Sequence, residues 1–184
     1  FSEKIKSEAS RLITLIEDII NLSRLDENSY KDERETVDLK DLAETCADRL
    51  SKAAENNGVT LKVTGVKAEI TGVYPVLDEI FYNLLDNAIK YNRDGGRVDV
   101  DIRESEEETV LSVSDTGIGI PPEHRERIFE RFYRVDKSHS KKSGGTGLGL
   151  SIVKHAVLYH NGKITLASEE NKGTTITAVF PKNR

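Results

Sequence analysis

The sequence contains neither methionine nor tryptophan, and Cys46 is its single cysteine. One cysteine excludes an intramolecular disulfide framework and a cysteine-rich metal site. No apolar run approaches the ~18–20 residues that a membrane-spanning helix needs, and no signal-peptide pattern opens the chain. Because methionine is absent, Phe1 is not expected to be a natural start, and we expect an intracellular-type piece of a longer protein.

Neither sign of charge is in large excess, because 27 Lys and Arg residues oppose 32 Asp and Glu residues, for a formal net charge of −5. This mildly acidic balance argues against a dedicated nucleic-acid-binding surface. The 184 residues are enough to bury roughly 70% of the unfolded surface. At about 150 residues per domain, we expect one domain with an appendage.

The appendage is a predicted helix at residues 2–25. Its apolar residues follow a heptad-like spacing of four and three: Ile5, Ala9, Leu12, Ile16 and Ile19. Further apolar residues widen this surface beyond what one partner would cover. One interpretation is a helix that lies on its own domain. The favoured interpretation is half of a helical hairpin from a four-helix bundle.

The rest of the chain alternates between helical and extended patterns after a polar linker at residues 28–37. Helices are predicted at 39–57, 75–91, 123–132 and 148–161, and strands at 59–63, 68–70, 97–103, 109–115, 164–166 and 176–180. Asp38 is the expected N-cap of the helix that follows it. This order favours an α+β sandwich, with helices on one face of one sheet.

The predicted helix 75–91 carries a polar face opposite its apolar one. Asn83, Asn87, Lys90 and Tyr91 share that face because they are spaced by four, three and one residues. Carboxamide oxygens suit Mg²⁺ when phosphates and water supply most of its ligands, and a lysine adds a point charge for phosphate. An ordinary solvated helix face would explain the same pattern.

A carboxylate and two glycines stand at the end of the predicted strand 109–115. Alternation places Asp115 on the same side as the apolar Leu111 and Val113. A carboxylate directed towards a core needs a hydrogen-bond donor, and the exocyclic amine of a base would serve. Gly117 and Gly119 allow the backbone to approach a ligand. The alternative is an aspartate that caps its own turn.

The loop 136–147 is rich in lysine and glycine and leads directly into the helix predicted from 148. Exposed backbone N–H groups and the positive end of the helix dipole favour an anion there. The loop is not a Walker A sequence. It is not a dinucleotide-binding fingerprint either, because no strand precedes it. A flexible linker is the other interpretation.

Taken together and in order, four segments resemble the motifs of sensor histidine kinases of two-component systems, within the gyrase-like, chaperone-like and mismatch-repair ATPase superfamily (Bergerat fold). They are similar to the N box (83–91), the G1 box (115–119), the F box (129–134) and the G2 box (145–150). The resemblance covers nearly the whole chain. It implies a mixed sheet with helices on one face in residues 38–184, and the second helix of a dimerisation and phosphoacceptor hairpin in residues 1–27.

The resemblance implies ATP and Mg²⁺ as cofactors and assigns the phosphate end of the site. Asn87 would hold Mg²⁺, with Asn83 close to the same ion. Asn83, Lys90 and Arg134 would serve the transfer step. Arg134 would neutralise charge on the γ-phosphate.

The resemblance also assigns the base end of the site. Asp115 would accept a hydrogen bond from the adenine amine, Thr174 would help through water, and Tyr91 would pack against the base. Phe129 and Phe132 would anchor the lid. The other nucleotide contacts that the resemblance implies are Gly117, Ile118, Gly119, Ile120, Phe132, Gly145, Thr146, Gly147, Leu148 and Gly149.

The family's phosphoacceptor histidine, followed by Glu or Asp on the first hairpin helix, is missing from this sequence. Its four histidines lie in the nucleotide domain, and His155 and His160 are interpreted as surface or packing residues. We therefore expect ATP binding without autophosphorylation of this chain alone. The implied partners are a response regulator and the hairpin of the parent kinase, a homodimer. This part would be a cytoplasmic domain of a membrane receptor, with no membrane contact of its own.

Two other functions stay open at this point. One is an ATPase or a Ser/Thr kinase of the same superfamily, such as an anti-sigma kinase, which the F box and the leading helix disfavour. The other is a module that senses nucleotide or dimerises without catalysis, which Arg134 and the lid glycines disfavour.

Overall fold

The computed structural model describes residues 2–27, 29–30, 33–135 and 145–182. Within these ranges the helices are α1 (Ser2–Asp26), α2 (Leu39–Asn56), α3 (Tyr74–Lys90) and α4 (Gly149–Tyr159), with a 3₁₀ turn at Pro122–His124. The strands are β1 (Arg34–Asp38), β2 (Thr60–Gly65), β3 (Glu69–Val73), β4 (Arg97–Glu104), β5 (Glu108–Asp115), β6 (Lys163–Glu169) and β7 (Gly173–Pro181). None of the described helices is both long enough and apolar enough to cross a bilayer.

The main sheet has five strands in the order β2-β4-β5-β7-β6. β2 runs parallel to β4, and the other neighbours are antiparallel. Alternate residues of the central strands, such as Val100, Leu111 and Ala178, are buried under the helices, and polar residues occupy the other face. The mixed sheet with helices on one face confirms the predicted α+β class.

Helix α3 lies at the centre of the helical layer and contacts both α2 and α4. Its apolar stripe includes Ile80, Phe81 and Leu85, which are at most 1% exposed. Asp38 caps α2 as predicted, since its carboxylate accepts hydrogen bonds from the N–H groups of Lys40 and Asp41. The rigid packing of α3 on the sheet fixes the helix that carries the N box.

Two local predictions differ from the structure. Residues 34–37, assigned to the polar linker, form β1 together with Asp38. This strand pairs with β3 in a second, two-stranded sheet, where one sheet was expected, with Val37 opposite Ile70. The strand has a single buried apolar residue, so its pattern carries no period-two signal. The prediction of a helix at 123–132 was wrong, because only the 3₁₀ turn and further turns occur there. Phe132 has φ of 63°, which ends any right-handed helix.

The last turns of α1 pack on the domain, but most of its apolar surface stays open. Leu22 is buried against Leu148 and Ile152, and Leu25 joins the main core. Six apolar side chains of α1 remain 47–58% exposed: Ile5, Leu12, Ile13, Ile16, Ile19 and Ile20. Among the described residues, the domain therefore contacts the C-terminal half of this helix and leaves these six side chains exposed.

His160 is a packing residue, only 6% exposed. Its Nδ1–H donates to the Ala156 carbonyl at 2.8 Å, and its Nε2 accepts from the Val73 N–H at 3.1 Å. Because one ring nitrogen donates and the other accepts, the ring is neutral. Burial is the main cause that lowers the pKa of His160 below its ordinary value.

Acid is therefore expected to weaken the fold through His160. The pKa of His160 is lower in the folded state than in the unfolded state. Its contribution to the free energy of unfolding is therefore complete above the ordinary pKa of about 6.5, and it is lost as the pH falls below that value. His160→Gln should reduce the fall in unfolding free energy between pH 7.5 and 5.5, as measured by urea denaturation. It should also cost about 1–2 kcal/mol at pH 7.5. Equal slopes for both proteins would contradict this role.

Candidate functional site

Asp115 lies at the end of β5 and faces the helical layer, as predicted. It is partly buried, follows the buried Val113 on the same face, and stands directly opposite Thr174 of β7. Its Oδ1 accepts the Gly117 N–H at 2.8 Å. One carboxylate oxygen thus fixes the turn that follows the strand, while the group keeps acceptor capacity for a ligand.

Burial raises the pKa of the Asp115 carboxyl above its ordinary value. The backbones of Gly117 and Thr174 act in the opposite direction and are the smaller causes. A hydrogen-bond donor of a ligand would stabilise the carboxylate in such surroundings, because the donor replaces the water that burial has removed. The position therefore suits an N–H donor of a ligand.

The G1 box lies against the end of α3. A Cβ built on Gly117 would lie 2.3 Å from the Tyr91 carbonyl oxygen, so only glycine fits there. The same carbonyl accepts the Ile118 N–H at 3.0 Å. The segment thus runs from the tip of β5 across the C-terminus of α3, which brings the N box and the G1 box together.

The β6–β7 hairpin holds the other side of the G1 box. Gly119 has φ of +66°, and a Cβ on it would lie 2.0 Å from the Glu169 carbonyl oxygen. The Ile118 carbonyl accepts the Asn171 N–H at 2.7 Å. The Ile120 N–H donates to Ser168 Oγ at 2.9 Å. The segment is clamped between a helix end and a hairpin.

The two asparagines of α3 differ in their surroundings. Asn83 donates to the Glu79 carbonyl at 2.9 Å and to Glu79 Oε2 at 3.1 Å. Its Oδ1 faces the first turn of α4, since a Cβ on Gly149 would lie 2.6 Å from it. The Asn87 carboxamide is partly buried and makes no hydrogen bond to any residue that the structure describes. Asn87 is the more available ligand.

Lys90 and Tyr91 take positions that spacing alone does not reveal. The Lys90 ammonium pairs with Asp86 at 2.5 Å on the exposed side of α3. The Tyr91 side chain is 42% exposed, and its backbone carbonyl is the group that holds the G1 box. The Lys90 side chain is thus engaged by a protein group, whereas the Tyr91 side chain is exposed.

The F box contacts the backbone of the G2 box. The Phe132 N–H donates to the Gly147 carbonyl at 2.9 Å, and the Arg134 guanidinium donates to the Gly145 carbonyl. Phe132 is 59% exposed, whereas Phe129 is partly buried. Lys137, Lys141, Lys142 and Gly144 of the lysine- and glycine-rich loop 136–147 lie outside the described residues.

Helix α1 reaches the G2 box through side chains. Thr146 Oγ1 donates to Asp18 Oδ2 at 2.7 Å and accepts the Leu148 N–H at 3.3 Å. Asn21 of α1 donates to Glu79 Oε1 at 3.2 Å. Burial is the main cause that raises the pKa of both Asp18 and Glu79. The sequence carries no signal for these contacts, because they join residues far apart in the chain.

The side-chain oxygens of α3 could hold a magnesium ion only together with a bound phosphate ligand. No group of three His, Cys, Asp or Glu side chains in the described part of the chain could hold a metal. Asn87 offers a neutral oxygen that is not committed to any described residue. Mg²⁺ accepts such a site when phosphates and water complete its octahedral shell.

Comparison with known proteins gives consistent matches. A family model described as "Histidine kinase-, DNA gyrase B-, and HSP90-like ATPase" matches residues 72–184. The sensor histidine kinase WalK of Bacillus subtilis (strain 168) is 38% identical over 183 residues, covering 96% of this chain and 29% of WalK. The structure of the mycobacterial sensor histidine kinase MprB aligns with a TM-score of 0.70 at 32% identity, covering 80% of this chain and 97% of that chain.

A full-length structure of ShkA aligns with a TM-score of 0.82 at 25% identity. The alignment covers 96% of this chain and 37% of that one. The chain therefore spans 29% of the length of WalK and 37% of the length of ShkA.

Proposed function

This chain belongs to the family of histidine kinase-, DNA gyrase B- and HSP90-like ATPases, and from that membership we propose that it binds Mg·ATP and donates the γ-phosphoryl group to a histidine of its parent kinase. The observation that carries the proposal is the partly buried Asp115 at the tip of β5, beside a glycine segment that a helix end and a hairpin clamp. The ShkA structure is a complex with AMPPNP, which supports nucleotide binding by this chain.

The base end of the proposed site lies between Asp115 and the G1 box. Asp115 accepts from the adenine amine, with Thr174 beside it, and Tyr91 packs against the base. Gly117, Ile118, Gly119 and Ile120 line the approach with backbone. The raised pKa of Asp115 supports this role, because a carboxylate short of hydration gains from a new donor.

The phosphate end lies between α3 and the start of α4. Asn87, with Asn83 nearby, would hold Mg²⁺, which supplies charge neutralisation on the triphosphate when bound. Arg134 adds positive charge, and Lys90 does so when its ammonium leaves the exposed pair with Asp86. The N-terminus of α4 presents backbone N–H groups and the positive end of its dipole. The glycines proposed to wrap the phosphates are Gly145, Gly147 and Gly149, and the other nucleotide contacts proposed are Phe132, Thr146 and Leu148.

The transfer step needs positioning and charge neutralisation more than covalent help. An imidazole nitrogen attacks the γ-phosphorus, the bond to the β–γ bridging oxygen breaks, ADP leaves with the electron pair, and the imidazole proton passes to water. The phosphoryl group then moves to an aspartate of a response regulator. The exposed apolar surface of α1 supports residues 1–27 as the second helix of a hairpin in a dimeric parent. The catalytic domain begins with β1, which pairs with β3, and not at residue 38. We also propose that the parent is membrane-bound.

We expect transfer only when a complete hairpin with its histidine is supplied. Labelled γ-phosphate should then appear on the hairpin as an acid-labile product, and none should appear on this chain alone.

Asp115→Ala removes a charge-assisted hydrogen bond worth about 1.5–3 kcal/mol, so ATP affinity measured by calorimetry should fall roughly 10–100-fold.

Asp48→Ala, on the exposed surface of α2, is the control and should bind ATP like the unaltered chain. Unchanged affinity in Asp115→Ala would remove Asp115 from the base pocket. An acid-stable product would indicate a Ser/Thr kinase, and binding without any transfer to the hairpin would indicate a nucleotide-sensing module.

A further inference from the structure

Three polar side chains form a row across the end of the main sheet. Asp115 of β5 stands directly opposite Thr174 of β7, and Thr174 stands directly opposite Ser168 of β6. Side chains of directly paired residues point to the same face of a sheet. The three groups therefore lie side by side on the face that carries the proposed base pocket.

The hydroxyl of Ser168 makes three hydrogen bonds. It accepts the Ile120 N–H at 2.9 Å, it donates to the Gly173 carbonyl at 3.0 Å, and it lies 2.8 Å from Thr174 Oγ1. An amide N–H can only donate and a carbonyl can only accept, so the first two directions are fixed.

A serine hydroxyl has one hydrogen, and the Gly173 carbonyl takes it. The hydrogen between Ser168 and Thr174 therefore belongs to Thr174. Once Thr174 has donated to Ser168, its oxygen offers only lone pairs to a ligand. The Asp115 carboxylate and the Thr174 hydroxyl beside it then both face a ligand as acceptors.

We propose that Ser168 is a positioning residue that holds the Thr174 hydroxyl as an acceptor and so makes the pocket select a 6-amino purine over a 6-oxo purine. The proposal rests on the proposed function, since it assumes that the base lies beside Asp115. The two N–H groups of an amine satisfy Asp115 and Thr174 by direct contact. A carbonyl at the same position faces acceptors and stays unsatisfied.

Ser168 also ties Ile120 to the hairpin, so a purely structural effect has to be separated from the proposed one. If Ser168 only held the G1 box in place, its loss would weaken every nucleotide by the same factor. If it sets the direction of the Thr174 hydroxyl, its loss frees that hydrogen to meet a carbonyl oxygen. The ratio of affinities for ATP and ITP distinguishes these cases.

The test measures the dissociation constants of ATP and ITP by calorimetry for the unaltered chain and for Ser168→Ala. We expect the preference for ATP over ITP to fall about tenfold in Ser168→Ala, the worth of one hydrogen bond. Ser168→Thr keeps a hydroxyl and should restore the preference. Ser114→Ala is the matched control, because Ser114 Oγ pairs with Thr175 Oγ1 at 2.9 Å on the opposite face of the sheet.

A second variant keeps the test decisive if Ser168→Ala unfolds, which a thermal midpoint far below that of the unaltered chain would show. Thr174→Val removes the oxygen itself and should lower the preference as well, whereas Thr174→Ser should keep it. An unchanged ratio in Ser168→Ala and Thr174→Val would overturn the proposal. Failure of the unaltered chain to bind ATP would instead overturn the proposed function.

Discussion

Asn87→Ala is expected to abolish the Mg²⁺ dependence of ATP binding and to lower phosphoryl transfer to a supplied hairpin by roughly 100-fold or more. The reason is the position of Asn87 on α3, partly buried and not hydrogen-bonded to any described residue. A metal's stabilisation of transferring phosphoryl charge is worth several kcal/mol, and each 1.36 kcal/mol of it changes the rate about tenfold.

The measurement is calorimetry with ATP in Mg²⁺ and in a chelator, together with transfer of labelled phosphate. Asn57→Ala is the matched control, since Asn57 ends α2 and donates its amide to the Ala53 carbonyl of its own helix. This control should keep the full response to Mg²⁺. If the unaltered chain binds ATP equally well with and without Mg²⁺, Asn87 has no metal to hold and the proposed role is wrong.

The elements whose pattern repeats locally could be predicted from the sequence. Helix α3 was predicted at 75–91 and lies at Tyr74–Lys90, because its apolar stripe repeats over several turns. β1 could not be predicted in the same way. It has one buried apolar residue and depends on β3, more than 30 residues further along the chain, for its hydrogen bonds.

The residues of the candidate site also differ in whether a local sequence pattern reveals them. Asp115 and the two G1-box glycines could be found, because a strand end and a glycine spacing are visible in a few consecutive residues. Ser168 and Glu79 carried no such signal. Ser168 accepts from the Ile120 N–H and Glu79 accepts from Asn21, and only folding brings these residues close together. The pairing of Lys90 with Asp86 is local, but spacing alone does not say which partner an exposed ammonium takes.

Gly119→Ala is expected to lower ATP affinity more than 100-fold. Its φ of +66° belongs to the left-handed region, which costs a residue with a Cβ roughly 1–2 kcal/mol. The larger effect is steric, since the new Cβ would lie 2.0 Å from the Glu169 carbonyl oxygen. A backbone atom cannot rotate away, so the G1 box and the β6–β7 hairpin must separate.

That separation removes more than one contact. It pulls the Ile120 N–H from Ser168 and the Ile118 carbonyl from the Asn171 N–H, which are 2.9 and 2.7 Å apart in the intact chain. Both bonds hold the backbone that follows Asp115, so the base pocket loses its shape while the carboxylate is still present. Affinity should therefore fall further than it does in Asp115→Ala, although Gly119 contributes no side chain to the ligand.

Gly95→Ala separates the steric effect from the conformational one. Gly95 also has a positive φ, +74°, but a Cβ on it would meet nothing within 4 Å. This variant carries the left-handed strain alone, so it should lose about 1–2 kcal/mol of stability and bind ATP like the unaltered chain. Calorimetry and thermal unfolding of the two variants side by side make the comparison. If Gly119→Ala binds ATP within threefold of Gly95→Ala, the clamp between the G1 box and the hairpin does not shape the nucleotide site.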